Sequence, residues 1–301
     1  MRLAVTGGTG FVGSHLIDTA LAAGHHVTAL TRREQKARDG IDWVNGDLSS
    51  REALERLVAD ADAVIHIAGT ISAPTPAAFE QGNVTGTLAM LAAATAGGVQ
   101  RFVHVSSLAA REPRLSLYGA SKARAEELVS NSGLEWAIVR PPAVYGPGDR
   151  ETLELFRMAK FGLMLMPPKG RMSVIHADDL ARLLLALADP AAPSNCNVEP
   201  DDGKRDGWTH REFARALAAA VGTKAAVISS PGVLLRLAAR ADQFLRGEKA
   251  KLTVDRAAYF SHHNWVVEPK RACPPEVWVP QTATLHGLKE TADWYRAQGW
   301  L

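Results

Sequence analysis

Leu3-Ala4-Val5-Thr6 is a short apolar run that passes at once into Gly7-Gly8-Thr9-Gly10-Phe11-Val12-Gly13. From Ser14 to Ala23 apolar residues recur at helical spacing, and the pattern stops at Gly24. Strand, glycine turn and helix in that order leave few architectures open. With glycines at 7, 10 and 13 the chain can turn tightly, bring its backbone close to a pyrophosphate and pack the helix onto a sheet. The expectation is a helix packed on a sheet, with a pyrophosphate-bearing ligand at the helix start.

The second strand, His26-Val27-Thr28-Ala29-Leu30, is followed by Thr31-Arg32-Arg33. A dinucleotide site usually places an acid here for the ribose hydroxyls, whereas an arginine fork matches a phosphate dianion. NADP(H) is the preferred reading, with Arg32 as the main contact. NAD(H), with Glu34 on the ribose, is the alternative. Asp42 to Leu48 reads as a third strand and its exit, with Ser49 to Glu52 resembling a capping box that opens a helix ending at Val58. That cap would leave Asp47 free for another role. Ala63 to Gly69 is a fourth strand, apolar on both faces. Asn83 to Ala96 is a helix rich in small residues, and Arg101 to Val105 is a fifth strand that ends in Ser106-Ser107.

Eleven residues later comes Tyr118-Gly119-Ala120-Ser121-Lys122. Positions four apart share a helix face, so a phenol and an ammonium point into one site. To exchange protons near neutral pH a phenol must come down from ~10 by roughly three units, about 4 kcal/mol. A positive charge about 4 Å away, at an effective dielectric of about 20, supplies that much. Tyr118 is therefore expected to be a tuned acid or base.

The 301 residues include 34 basic and 32 acidic side chains, a formal net charge of +2, with no basic block that would suit nucleic acid. Two cysteines, Cys196 and Cys273, make neither a disulfide framework nor a metal knot, and no metal site is expected. Met1-Arg2 runs straight into Leu3, which leaves no room for a signal peptide, so a cytoplasmic protein without stable membrane insertion is expected. The apolar, arginine-bearing span from Pro231 to Leu245 could rest on a membrane surface, but a lid over an apolar pocket is preferred. His262-His263 do not share a face and have no ligand partner at useful spacing.

Taken together, the segments closely resemble the extended, epimerase/dehydratase-like branch of the short-chain dehydrogenase/reductase superfamily. The resemblance rests on Thr6 to Gly13, Asp47-Leu48, His66 to Gly69, Asn83 to Thr87, Val105 to Ser107, Tyr118 to Lys122, Arg140 to Gly148 and Ile175 to Leu180, in this order. It implies a Rossmann-type doubly wound parallel sheet with a smaller C-terminal substrate-binding lobe. Residues 1–145 would form the dinucleotide-binding domain, with 174–192 returning to it. Residues 146–173 and 193–284 would form the lobe, and 285–301 a closing helix.

The resemblance also implies roles. Ser107 would hydrogen-bond the substrate oxygen, Tyr118 would pass it a proton, and Lys122 would hold the nicotinamide ribose and lower the Tyr118 pKa. Gly7, Thr9, Gly10, Phe11, Val12 and Gly13 would cradle the cofactor, with Asp47 and Leu48 along the adenine. Pro142 to Val144 would face the carboxamide, and Ile67, Ala68, Gly69, Val105 and Pro141 would also lie on the cofactor side. Asn83 would tie neighbouring strands together. A homodimer through the helices that start near Asn83 and Tyr118 is implied as well. Many relatives acting on nucleotide sugars carry an Arg-Asp-Phe run where this chain has Gly170 to Ile175. That departure, with the apolar stretch Leu163 to Pro168 read as a loop, favours a small or apolar carbonyl compound. The expected activity is an NADP(H)-dependent oxidoreductase, with an epimerase or dehydratase holding its cofactor tightly, or a non-catalytic dinucleotide-sensing scaffold, as alternatives.

Overall fold

A computed structural model describes residues 1–247 and 253–301. The chain divides into two compact units, the first formed by Met1–Pro141, Leu180–Pro200 and Arg271–Val279.

In the first unit, β1 (Arg2–Thr6), β2 (His26–Thr31), β3 (Ile41–Asn45), β4 (Ala63–His66), β5 (Arg101–Val105) and β6 (Glu135–Val139) build a parallel sheet. β11 (Cys196–Val198) completes the order β11-β6-β5-β4-β1-β2-β3. β1, β4 and β5 are almost wholly buried, as strands covered by helices on both faces must be. Helices α1 (Phe11–Ala22), α2 (Arg51–Val58), α4 (Gly86–Ala96) and α5 (Leu117–Ser130) belong to this unit. Leu54, Leu57, Met90, Val64, Phe102 and Ile138 form one of its cores. Because β2 and β4 flank β1 on opposite sides, the strand order reverses there, and the crevice at the carboxyl ends of β1 and β4 is where such sheets bind ligands.

Two local expectations change. β11, assigned above to the second lobe, pairs in parallel with β6, Cys196 opposite Ala137. A three-residue run shows extended chain but not which edge it joins. The helix expected from Asn83 starts earlier, as α3 (Pro76–Phe79), and runs through a π-helical stretch, Glu80–Thr85, into α4.

The second unit comprises Pro142–Asp179, Asp201–Lys270 and Pro280–Leu301. β7 (Ala143–Tyr145) pairs with β10 (Val174–His176), while β9 (Arg171–Met172) lies between β12 (Trp208–Thr209) and β14 (Asn264–Trp265). Leu163–Met166, read above as loop, is β8, parallel to β13 (Ala226–Ser229). Its alternation supplies the reason: Met164 and Met166 are buried while Leu163 and Leu165 face out. α6 (Leu153–Phe161), α8 (His210–Ala220) and α10 (Thr284–Ala297) enclose Phe156, Phe213, Leu217, Leu288 and Tyr295. The capping box read at Thr209 and Glu212 is formed, with both reciprocal bonds present. α7 (Ala177–Ala188) follows β10; Asp179, a candidate for its cap, accepts from the Gln281 and Thr282 backbone N–H groups at 2.8 and 3.0 Å.

Candidate active site

Two features of the glycine turn prepare it for an anion. Gly7 adopts φ +75°, and a Cβ there would lie 2.7 Å from the Ala68 nitrogen, so β1 and β4 can close on each other only without a side chain. At Gly13 a Cβ would stand 2.1 Å from the Gly7 carbonyl oxygen. Gly10, the residue before α1, makes no side-chain cap, and its N–H donates to the Gly7 carbonyl at 3.0 Å. The first N–H groups of α1 are thus left without a side-chain partner, the condition under which a helix N-terminus takes a phosphate.

The turn opens on a cavity of about 740 Å³ lined by Gly7, Thr9, Gly10, Thr31, Arg32, Arg33, Asp47, Leu48, Ala68 and Gly69 among others. Thr31 accepts from the Arg33 backbone N–H at 3.2 Å and donates to its carbonyl at 2.7 Å, a tight turn that leaves Arg32 and Arg33 exposed. Asp47 accepts from the Ser49 hydroxyl at 2.6 Å and from its N–H at 2.8 Å. These bonds, with the nearby Arg32 guanidinium adding to them, hold the carboxyl below its ordinary value. The Ser49 to Glu52 capping box is therefore not made: Ser49 is engaged by Asp47, and Ser50 precedes α2 without a side-chain cap. These residues fit a dinucleotide.

On the other side of β4 stand Ser107, Tyr118 and Lys122. Ser116 caps α5 by accepting from the Gly119 N–H at 2.9 Å. A Cβ on Gly119 would lie 2.5 Å from the Ala109 carbonyl oxygen. The glycine within Tyr-Gly-Ala-Ser-Lys thus lets the short 3₁₀ turn Leu108–Arg111 approach α5. Ser107 caps that turn by accepting from the Ala109 N–H at 3.2 Å, and it stands beside the Tyr118 phenol, acting to lower its pKa. Lys122 is buried and donates to the Val105 carbonyl at 2.8 Å. Its Nζ also lies 3.2 Å from the position a Cβ on Gly69 would take, next to one of the residues that line the cavity. Asn83 holds the neighbouring strand exit, accepting from the Thr70 N–H at 2.7 Å and donating to the Thr70 carbonyl and to Ser121.

The Tyr118 pKa is raised, not lowered as expected. Burial raises the phenol above its ordinary value, and the neighbouring Ser107 opposes the rise only in part. Burial also brings Lys122 down to about 8, against the pull of Glu126 one turn further along α5. An i,i+4 spacing says that two side chains share a face; it does not say that the ammonium reaches back to β5. Beside it, His66 is held neutral, its pKa pushed down to about 3 by burial and by the Lys122 charge. Its Nδ1 sits 2.7 Å from the Thr6 hydroxyl and its Nε2 3.1 Å from that of Thr87.

Phe11, Val12 and Gly13 begin α1, and Ile67 leaves β4 by donating to the Thr6 carbonyl. The Val105 carbonyl holds Lys122, and that of Pro141 accepts from Leu108 at 3.1 Å. Pro142 and Val144 fall in the second unit, Val144 in β7. Sequence reasoning missed Gln35, Gln81, Gly82 and Thr85, which also line the cavity. Gly82 was the available signal: a Cβ there would meet the Thr70 hydroxyl at 2.1 Å, a contact that a glycine ahead of Asn83 could have suggested. Among the described residues no group of three or more His, Cys, Asp or Glu could hold a metal ion.

A glycine-turned parallel sheet with this serine, tyrosine and lysine beside the same strand ends is the build of the extended short-chain dehydrogenases/reductases. The chain belongs to the NAD dependent epimerase/dehydratase family, which it matches over residues 3–198, and it is an enzyme whose cofactor is a nicotinamide dinucleotide. It is 38% identical to the ceramide reductase of Caulobacter vibrioides over 99% of this chain and 96% of that protein. To the 2-alkyl-3-oxoalkanoate reductase of Stenotrophomonas maltophilia it is 30% identical, over 74% of this chain and 76% of the other. The UDP-glucose 4-epimerase of Thermotoga maritima shares the fold, with a TM-score of 0.74 at 20% identity over 99% of both chains. No described helix is long and apolar enough to cross a membrane.

Proposed function

We propose that this enzyme reduces a ketone on a long-chain lipid, foremost a ceramide whose 3-hydroxyl is oxidised, at the expense of NADPH. The observation that carries the reductase reading is that Ser107 stands close enough to the Tyr118 phenol to act on its titration, one helical turn from a buried lysine. Reductases of a ceramide and of a 3-oxoalkanoate among the relatives support the substrate class. The absence of the Arg-Asp-Phe run at Gly170 to Ile175 argues against a nucleotide sugar.

When bound, the reduced nicotinamide supplies a hydride. Ser107 donates to the carbonyl oxygen and orients it. Tyr118, kept protonated at neutral pH by its burial, delivers its proton as the oxygen becomes an alkoxide. The Lys122 ammonium, on the same helix face, stabilises the phenolate left behind. NADPH should be consumed with a 3-oxo ceramide and not with UDP-sugars. Interconversion of UDP-sugars by a copurifying dinucleotide, with no NADPH used, would remove the reading.

Lys122 sets the alkaline side of the pH profile. Its charge is nearly full a unit or more below about 8 and half lost at that pH, whereas the phenol titrates above its ordinary value. For reduction, kcat/KM should be level through neutral pH and fall as pH rises through about 8. A profile still level at pH 10 contradicts this assignment. Arg32 is assigned to the 2′-phosphate of NADP(H). Arg32→Ala should reduce the preference for NADPH over NADH about tenfold, read as the ratio of the two dissociation constants. Equal affinities in the unaltered enzyme would refute the arginine reading.

A further inference from the structure

α9 (Gly232–Arg246) turns an apolar face to solvent. Val233, Leu234, Leu237 and Phe244 are 58%, 56%, 52% and 90% exposed. With exposed Ala238 and Ala241 they fall within one arc of the helix, at successive turns. The opposite side, through buried Ala239 and the half-buried Leu235 and Asp242, is the inward one. β13 leads into α9 through Ser230-Pro231, and the β8–β13 pair continues the pattern with Leu165 and Ile228, in register and both exposed. So much aliphatic and aromatic surface in one stretch is unusual for a protein surrounded only by water.

Charge identifies what covers it. Residues 158–170 and 222–247 together hold six basic side chains and one acidic, in a chain whose net charge is only +2. Lys160, Lys169, Lys224, Arg240 and Arg246 are exposed, and the one acid, Asp242, is ion-paired with Arg246 at 3.2 Å. An apolar helix face bordered by cations is the pattern of a helix lying in the interface of an anionic bilayer. We infer that α9 and the outer face of β8–β13 form a docking surface for an anionic lipid membrane. The enzyme rests on the bilayer rather than crossing it. This follows from the second unit's own residues and holds whichever ketone is reduced.

Flotation of the full-length enzyme with vesicles tests it. Vesicles of phosphatidylcholine with one quarter phosphatidylglycerol should bind the protein at least tenfold more tightly than phosphatidylcholine alone, and 0.5 M salt should remove most of that difference. Leu237→Glu and Phe244→Glu should each weaken binding tenfold or more with NADPH affinity and thermal midpoint unchanged. If either variant fails to fold, Arg240→Glu and the salt series on the unaltered protein still decide. Three results overturn the inference: equal binding to both vesicle types, binding indifferent to the substitutions, or a concentration-dependent dimer that Leu237→Glu dissociates in a protein that ignores vesicles. Loss of turnover on a water-soluble ketone in the Glu variants, with vesicle binding intact, would make α9 a lid and overturn it equally.

Discussion

Tyr118→Phe should lower kcat about 10³-fold and leave NADPH affinity within a factor of about two. The ring remains, so its packing against Phe79 at 6.3 Å between centroids is kept. What goes is the hydroxyl that Ser107 contacts, the proposed source of the proton for the nascent alkoxide. A positioned acid accounts for roughly 10²–10⁴ in rate, and the phenol is the only proton donor the proposed mechanism invokes at that oxygen. Ser107→Ala would be a less selective probe, because that serine also caps the 3₁₀ turn through Ala109. Single-turnover hydride transfer and equilibrium nucleotide binding, measured on the same protein, separate the two effects. Turnover within tenfold of the unaltered enzyme on every accepted ketone would eliminate Tyr118 as the donor.

The second large effect is on stability. Glu126 is buried on α5, accepts from Ser106 at 2.5 Å and meets Arg140 through a fork of 2.9 and 2.6 Å. Arg140 continues to Glu199 at 3.4 Å, and Arg111 and Arg271 approach the same carboxylate at 3.3 and 3.8 Å. Removing one partner of a buried pair costs roughly 3–5 kcal/mol, because the other charge stays out of water without its counterpart. Glu126→Ala should therefore lower the melting temperature by about 10 °C, at a few degrees per kcal/mol for a unit of this size. Restoring apolar contact with Glu126→Leu combined with Arg140→Leu should recover part of the loss, since the Glu126–Arg140 desolvation penalties vanish together while Glu199 loses one of its three arginines. A single-variant midpoint within two degrees of the parent would show that the pair contributes little. The same substitution should displace the alkaline limb of the activity profile to lower pH, because Glu126 holds the Lys122 pKa up against burial.

The glycine turn, the strands that flank it and the tyrosine–lysine pair were readable because each depends on residues a few positions apart. Gly13 is required by the Gly7 carbonyl six positions earlier, and Tyr118, Lys122 and Glu126 share a face by helical period alone. Failures came where a distant partner competes. Ser49 could cap α2, but Asp47 takes its hydroxyl. Leu163 to Met166 could be a loop until β13, more than fifty residues on, offers it an edge.

What the sequence by itself determined was the family, the fold of the first unit and the list of side chains able to do chemistry, since local periodicity and turn conformation are written in adjacent residues. Only the tertiary structure decided how those side chains are tuned. Burial raises Tyr118, Lys122 turns to the Val105 carbonyl, and Glu126 finds Arg140 and, through it, Glu199, 59 positions further along. The physical reason is that desolvation and charge pairing depend on distances across the packed interior, which chain spacing does not specify.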